Sequence, residues 1–293
     1  MKKLLALLSV LVLCTLLFAV GLATEPRTFT DTMGNEVTIN EVPSIVVSLT
    51  PSNTEILYAL GVGDKVKGVD QYSNYPAQAL ENAEVVGDFN GPNVESILAL
   101  NPDVVFAGNF LQQEAIDQLK ETGIPVVCVE ATSILDVFPS IQLVADIMKV
   151  DSSKILAKME ADTKEAETYA EKCEGKSVYC AISFGDWGDW TAGEGSFISE
   201  MINHLGATNI ADDLGIAWPQ YSIEQLLEKN PDVILISGDQ SMVESFIENP
   251  VYADLDAVAN GNVFPINSDT ISRPSPRLST AHIDIAKAIA SAK

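Results

Sequence analysis

From Ile45 the chain alternates short β-branched runs with helix-period stretches: IVVSL, TEILYALG, VKGV, VESILAL, DVVFAG, AIDQLKETG and PVVCVEA follow one another to Ala131. The second half repeats the scheme with SVYCAIS, FISEMINHLG, SIEQLLEKN, DVILISG and NVFPINS, and closes on a helix from about Ser279. Alternation of this kind predicts parallel sheets covered by helices. The fold class expected is therefore α/β: two Rossmann-like lobes with a ligand cleft between them. Between the lobes, residues 134–174 hold no strand-like run, and DSSKILAKMEADTKEAETYAEKCE at 151–174 is rich in Ala, Glu and Lys. That composition predicts one long helix of about 22 residues, about 33 Å at 1.5 Å per residue, acting as a rigid strut. The domains expected are a signal peptide at 1–23, a first lobe at 24–148, a linker helix at 149–174 and a second lobe at 175–293.

One phrase occurs twice. VESILALNPDVVFAG at 94–108 and IEQLLEKNPDVILIS at 223–237 share an apolar residue, a glutamate, an amphipathic turn, Asn-Pro-Asp and an apolar run. Asn101 and Asn230 read as equivalent helix stops, because Asn tolerates a left-handed cap and Pro cannot continue the helix. Glu95 and Glu224 then sit in the first turn of equivalent helices. Interaction with the helix dipole, about 0.3 to 1 kcal/mol, accounts for each acid singly but not for their recurrence. Lobes related by an approximate two-fold axis would present the two glutamates on the same side of the molecule, across the cleft from each other.

The first 23 residues have the layout of a secretory signal: Lys2 and Lys3, a long apolar run, then Gly21 and Ala23 as small residues before a cleavage point. The run nearly suffices to span a bilayer, but Thr24-Glu25-Pro26 closes it. Leu13 stands where a lipoprotein signal before Cys14 would need a small residue. The 293-residue chain holds 17 basic and 41 acidic residues. Without Lys2 and Lys3 the balance is 15 against 41, a formal charge of −26. Nucleic acid is excluded as a natural partner on that charge. Cys128, Cys173 and Cys180 remain after cleavage, permitting at most one internal disulfide, and they read as small buried residues.

Open α/β sheets bind ligands beyond the carboxyl ends of their strands. Those loops contain DQYSNYP and GDFNGPN in the first lobe, and FGDWGDWTAGEG, WPQYS and SDTISRPSPR in the second. They carry Tyr72, Tyr75, Phe89, Phe184, Trp187, Trp190 and Trp218. Loop aromatics beside Gly, Pro and Asn suit a large, flat, partly apolar ligand. Asp269 and Arg273 add polar handles, readable also as a surface ion pair. Ser52 and Glu55 have capping-box spacing and read as a helix start. His204 and His282, the only histidines, fall in helical patterns away from these loops, so no multi-histidine metal site is expected. A phosphate loop, a nucleophile elbow and a base beside a nucleophile are all lacking. The chain reads as a non-enzyme without a catalytic cofactor; a two-lobed metal-chelatase-like enzyme is the reading set aside.

From about Asp31 onwards the sequence resembles the substrate-binding proteins of ABC importers for cobalamin, haem and iron siderophores. DTMGNEVTI and IVVSLTPSNTEILYALGVGDKVKGV carry the general likeness. QYSNYP, WPQYSIE and SDTISRPSPR carry a likeness to the cobalamin-binding members. The resemblance implies that Tyr72, Phe89, Phe184, Trp190, Trp218, Asp269 and Arg273 contact a corrinoid, cobalamin or cobinamide, as transported ligand. It also implies that Glu95 and Glu224 meet arginines of two membrane subunits. Phe89 stands where those members have a tryptophan, and Leu205 and Ala286 stand where some have a disulfide. The expected protein is an exported monomer, in the periplasm or on the outer face of the cytoplasmic membrane. A haem or iron-siderophore binder is the alternative.

Overall fold

The structure is a computed structural model that describes residues 25–88, 91–108 and 113–293, with the backbone alone at Trp187. The expected signal at 1–23 and Phe89 lie outside the described residues. A hairpin of β1 (Arg27–Thr30) and β2 (Glu36–Ile39) precedes the first lobe's main sheet. That lobe holds β3 (Val46–Ser48), β4 (Val66–Asp70), β5 (Glu84–Asp88), β6 (Gly91–Pro92), β7 (Val104–Ala107) and β8 (Val126–Cys128). Their order is β6-β5-β4-β3-β7-β8, parallel throughout except where β5 meets β6. Around the sheet lie α1 (Pro51–Ala59), α2 (Gln78–Asn82), α3 (Val94–Ala99) and α4 (Gln113–Glu121).

Two long helices, α5 (Ile134–Met148) and α6 (Ser153–Glu167), and the single turn α7 (Ala170–Cys173) lead onward. The second lobe holds β9 (Ser177–Ser183), β10 (Trp190–Thr191), β11 (Thr208–Asn209), β12 (Val233–Ser237) and β13 (Val263–Ile266), ordered β10-β9-β12-β13 with β11 also beside β9. Its helices are α8 (Phe197–His204), α9 (Ile223–Lys229), α10 (Gln240–Glu248), α11 (Asp256–Asn260), α12 (Ser268–Ser272) and α13 (Leu278–Ser291). The expected α/β architecture with two lobes is what the chain forms.

Side chains alternate between the faces of each strand, and the core divides accordingly. Val46, Val104, Phe106 and Val127 join one cluster, while Val47, Val105, Val126 and Cys128 join another on the opposite face. In the second lobe Val178, Cys180, Val233 and Leu235 point into the same first cluster, and Tyr179, Ala181, Ile234 and Ile236 into an outer one. The two lobes thus share one inner apolar layer and keep an outer layer each.

Helix α5 lines that shared layer with Val137, Ile141, Val144 and Met148. It starts at a capping box formed by Ser133 and Asp136. Its first amide, that of Ile134, donates to the Glu200 carboxylate of the second lobe at 2.8 Å. At the other end Arg27 donates to the carbonyls of Asp146 and Ile147 at 2.7 and 2.8 Å. The single helix expected over 151–174 is instead divided after Glu167. There the Thr168 hydroxyl donates to the Glu165 carbonyl at 2.6 Å, a local bond that competes with helix propagation.

The repeated Asn-Pro-Asp now has a structural account. Asn101 and Asn230 adopt positive φ, 48° and 40°. Asp103 accepts from the Ser44 amide and hydroxyl, both at 2.8 Å, and from the Ile45 amide at 2.9 Å. Asp232 accepts from the Ser177 amide and hydroxyl at 2.8 and 2.7 Å. Each aspartate staples the entry of its own lobe's leading parallel strand, β3 or β9.

Candidate functional site

In the first lobe the strand order reverses between β3 and β7, and the loop after the neighbouring β4 carries Tyr72 and Tyr75. A buried polar chain underlies it. The hydroxyls of Ser48, Thr54 and Ser73 lie 2.8 and 2.9 Å apart in series, and Ser73 donates to Asp70 at 2.5 Å. Asp70 also accepts from the Tyr72 amide at 2.8 Å. Burial pushes its carboxyl above the ordinary value, against the pull of Ser73, the Tyr72 amide and the Arg273 charge. This chain ties down the turn that leaves Tyr72 and Tyr75 about half exposed, at 49% and 47%.

In the second lobe, residues 189–193 run antiparallel to 217–221. The amides of Thr191, Gly193 and Tyr221 donate to the carbonyls of Pro219, Ala217 and Asp189 at 3.0, 2.9 and 2.8 Å. Trp190 pairs with Gln220 across this ribbon. The ribbon presents Trp190 and Trp218, 41% and 44% exposed. Trp218 leans edge-on against Phe197 at 5.6 Å between ring centroids. From below, the Tyr252 hydroxyl donates to Asp189 at 2.5 Å. Phe184 is half-buried and packs edge-on against Phe246 at 5.2 Å, so it is tied to the second lobe's outer core.

The seam between the lobes is ionic and buried. Glu55, read from sequence as a helix-start residue, has a side chain only 2% exposed, and Thr50 is the actual cap of α1. Glu55 accepts from Arg273 Nη1 at 3.0 Å, Ser275 Oγ at 2.6 Å, and Arg277 Nε and Nη2 at 2.9 and 2.5 Å. Arg273 is correspondingly no surface residue. It donates also to Asn74 Oδ1 at 2.8 Å, to the Tyr72 carbonyl at 3.3 Å and to Asp269, 40% exposed, at 2.8 Å. The Arg277 guanidinium lies 3.8 Å over the Tyr75 ring. Burial works against the Arg277 charge, but the Glu55 carboxylate more than compensates and holds its pKa above the usual arginine value. Local sequence gave no signal for Glu55: its partners lie more than 200 positions away.

Glu95 and Glu224 are both exposed in the first turns of α3 and α9, capped by Asn93 and Ser222. Among the described residues neither carboxylate has a hydrogen-bond or ion-pair partner. His204 and His282 lie 5.2 Å apart between ring centroids, away from the aromatic loops, beside a cavity of about 570 Å³ also lined by Phe138, Lys164 and Glu200. Burial and then the neighbouring His204 lower the His282 pKa to about 4. Among the described residues there is no cluster of three or more metal-ligating side chains, and no helix is long and apolar enough to cross a membrane. Cys128, Cys173 and Cys180 are buried and free.

Residues 46–270 match a family described as periplasmic binding protein. An uncharacterised ABC transporter substrate-binding lipoprotein of Bacillus subtilis, YvrC, is 34% identical over 90% of this chain and 85% of its own. A vitamin B12-binding protein of Yersinia pestis is 33% identical over 84% of this chain and 86% of its own. Among solved structures, the vitamin B12-binding protein BtuF of Vibrio cholerae superposes with a TM-score of 0.73 at 27% identity, covering 85% of this chain and 97% of that one. A possible iron-binding periplasmic protein of Staphylococcus epidermidis does so with a TM-score of 0.73 at 26% identity, covering 85% and 99%. Such relatives are substrate-binding proteins of ABC transporters, not enzymes.

Proposed function

The chain belongs to the periplasmic binding protein family, the substrate-binding proteins of ABC importers, and from that premise we propose that it captures a corrinoid and delivers it. The observation that carries this reading is the pair of indoles, Trp190 and Trp218, held two-fifths exposed on a hydrogen-bonded ribbon at the edge of the second sheet. Rigid aromatic planes present a large contact area with little ordering cost, which suits a flat macrocycle. Tyr72 supplies the facing contact from the first lobe, and Phe184 supports the ribbon side from behind; Phe89 and Trp187 belong to the proposed contact set on their sequence alone. Asp269 offers an acceptor to the amide periphery of a corrinoid. The likeness to vitamin B12-binding relatives supports the same choice. Haem is the second reading, because the same planes would accept a porphyrin. Export, with cleavage after Ala23, follows as part of the proposal.

Isothermal titration of residues 24–293 with cyanocobalamin, dicyanocobinamide and haemin tests it. One-to-one corrinoid binding, weakened about tenfold or more by Trp218→Ala, is expected; tenfold corresponds to roughly 1.4 kcal/mol, within reach of one stacked aromatic. Heat with haemin and none with either corrinoid would overturn the ligand and keep the family.

A further inference from the structure

We propose that Glu55 is a positioning residue for the cleft, latching the two lobes through Arg273 and Arg277 and so fixing the loop that carries Tyr72 and Tyr75. The proposal rests on the reading of the aromatic cleft as the ligand site. Glu55 is a first-lobe residue, yet the side-chain bonds to its carboxylate all come from residues 273–277 of the second lobe. The same two arginines then reach the loop after β4. Arg273 holds it by the Tyr72 carbonyl and Asn74, and Arg277 covers the Tyr75 ring. The turn that carries Tyr72 and Tyr75, anchored within its own lobe by Asp70 and Ser73, is therefore also held from the opposite lobe.

Two consequences distinguish this from a plain ion pair. Four of the five N–H donors of Arg273 carry bonds to protein acceptors, which makes it an orienting group and not a counter-charge for ligand. The cluster balances two guanidinium charges with Glu55 and Asp269, and Glu55 is the member both arginines share. Removing one partner of a buried ionic group strands the others, so loss of Glu55 should free the loop and loosen the seam together.

Hydrogen exchange and NMR of ligand-free Glu55→Gln, a variant of nearly unchanged shape, test the latch. Expected are exchange of amides 70–76 at least tenfold faster, unchanged exchange in β7 and β12, and loss of an Arg277 Nε–H signal shifted by the Tyr75 ring. Glu55→Asp should recover part of both. Arg277→Lys keeps the charge without the two-point grip and should give the same contrast if Glu55→Gln does not fold. Unchanged exchange at 70–76, or a uniform rise across both lobes, would overturn the proposal. Cyanocobalamin affinity is expected to fall about tenfold in step with the loop. Should the unaltered protein bind neither cyanocobalamin nor haemin, the ligand reading fails while exchange still decides the latch.

Discussion

Asp103 and Asp232 do the same work at the same place in their lobes, and each does it with one carboxylate oxygen. Replacing either by Ala removes these exposed bonds and leaves the strand-entry amides to water, at a cost of about 0.5 to 1.5 kcal/mol; urea unfolding should report it. At Asp103 burial opposes ionisation, but the Ser44 and Ile45 amides and the Ser44 hydroxyl together hold its pKa below the ordinary 3.8. Its stabilising effect is therefore complete above the unfolded value and lost as pH falls through the lower folded one. The urea midpoints of the protein and Asp103→Ala should converge below pH 3.8, and midpoints equally far apart at pH 3 and pH 6 would refute the assignment. The Asn-Pro stop was legible because cap and breaker are neighbours in sequence. What the Asp then binds was not, since Ser44 lies 59 positions away.

At the scale of elements, short β-branched runs announced most strands, because parallel strands covered on both faces are nearly continuous in Val and Ile. The ribbon carrying Trp190 and Trp218 was not legible, since it pairs segments whose Gly, Pro and Asp content reads as loop. Nor was the break after Glu167, where composition favours helix and the Thr168 hydroxyl bonds the Glu165 carbonyl instead. Helix α5 lies within the shared apolar layer, and Ile141 is fully buried there. Ile141→Ala should cost about 2 to 5 kcal/mol. Because one cluster serves both lobes, calorimetry should record that loss as the shift of a single transition; two separated transitions would mean that the lobes unfold independently.

For the whole molecule, a formal charge of −24 and two glutamates that have no partner among the described residues, at equivalent places, point to a partner with two equivalent basic surfaces. With the importer reconstituted, Glu95→Ala combined with Glu224→Ala should leave ligand binding intact and abolish stimulation of its ATPase, whereas undiminished stimulation would refute docking through these residues. The two-lobed plan was legible from the duplicated phrase and the strand rhythm. The ionic seam was not, because Glu55 and Arg273 are 218 positions apart and each looks ordinary among its neighbours. The shared inner layer also bears on how the chain is made. Its last helix, α13, contributes Leu278, Ile285 and Ile289 to the layer that begins at Val37. A growing polypeptide would expose this apolar layer until α13 was released, so termination before α13 would leave a sticky product for chaperones or proteases to clear.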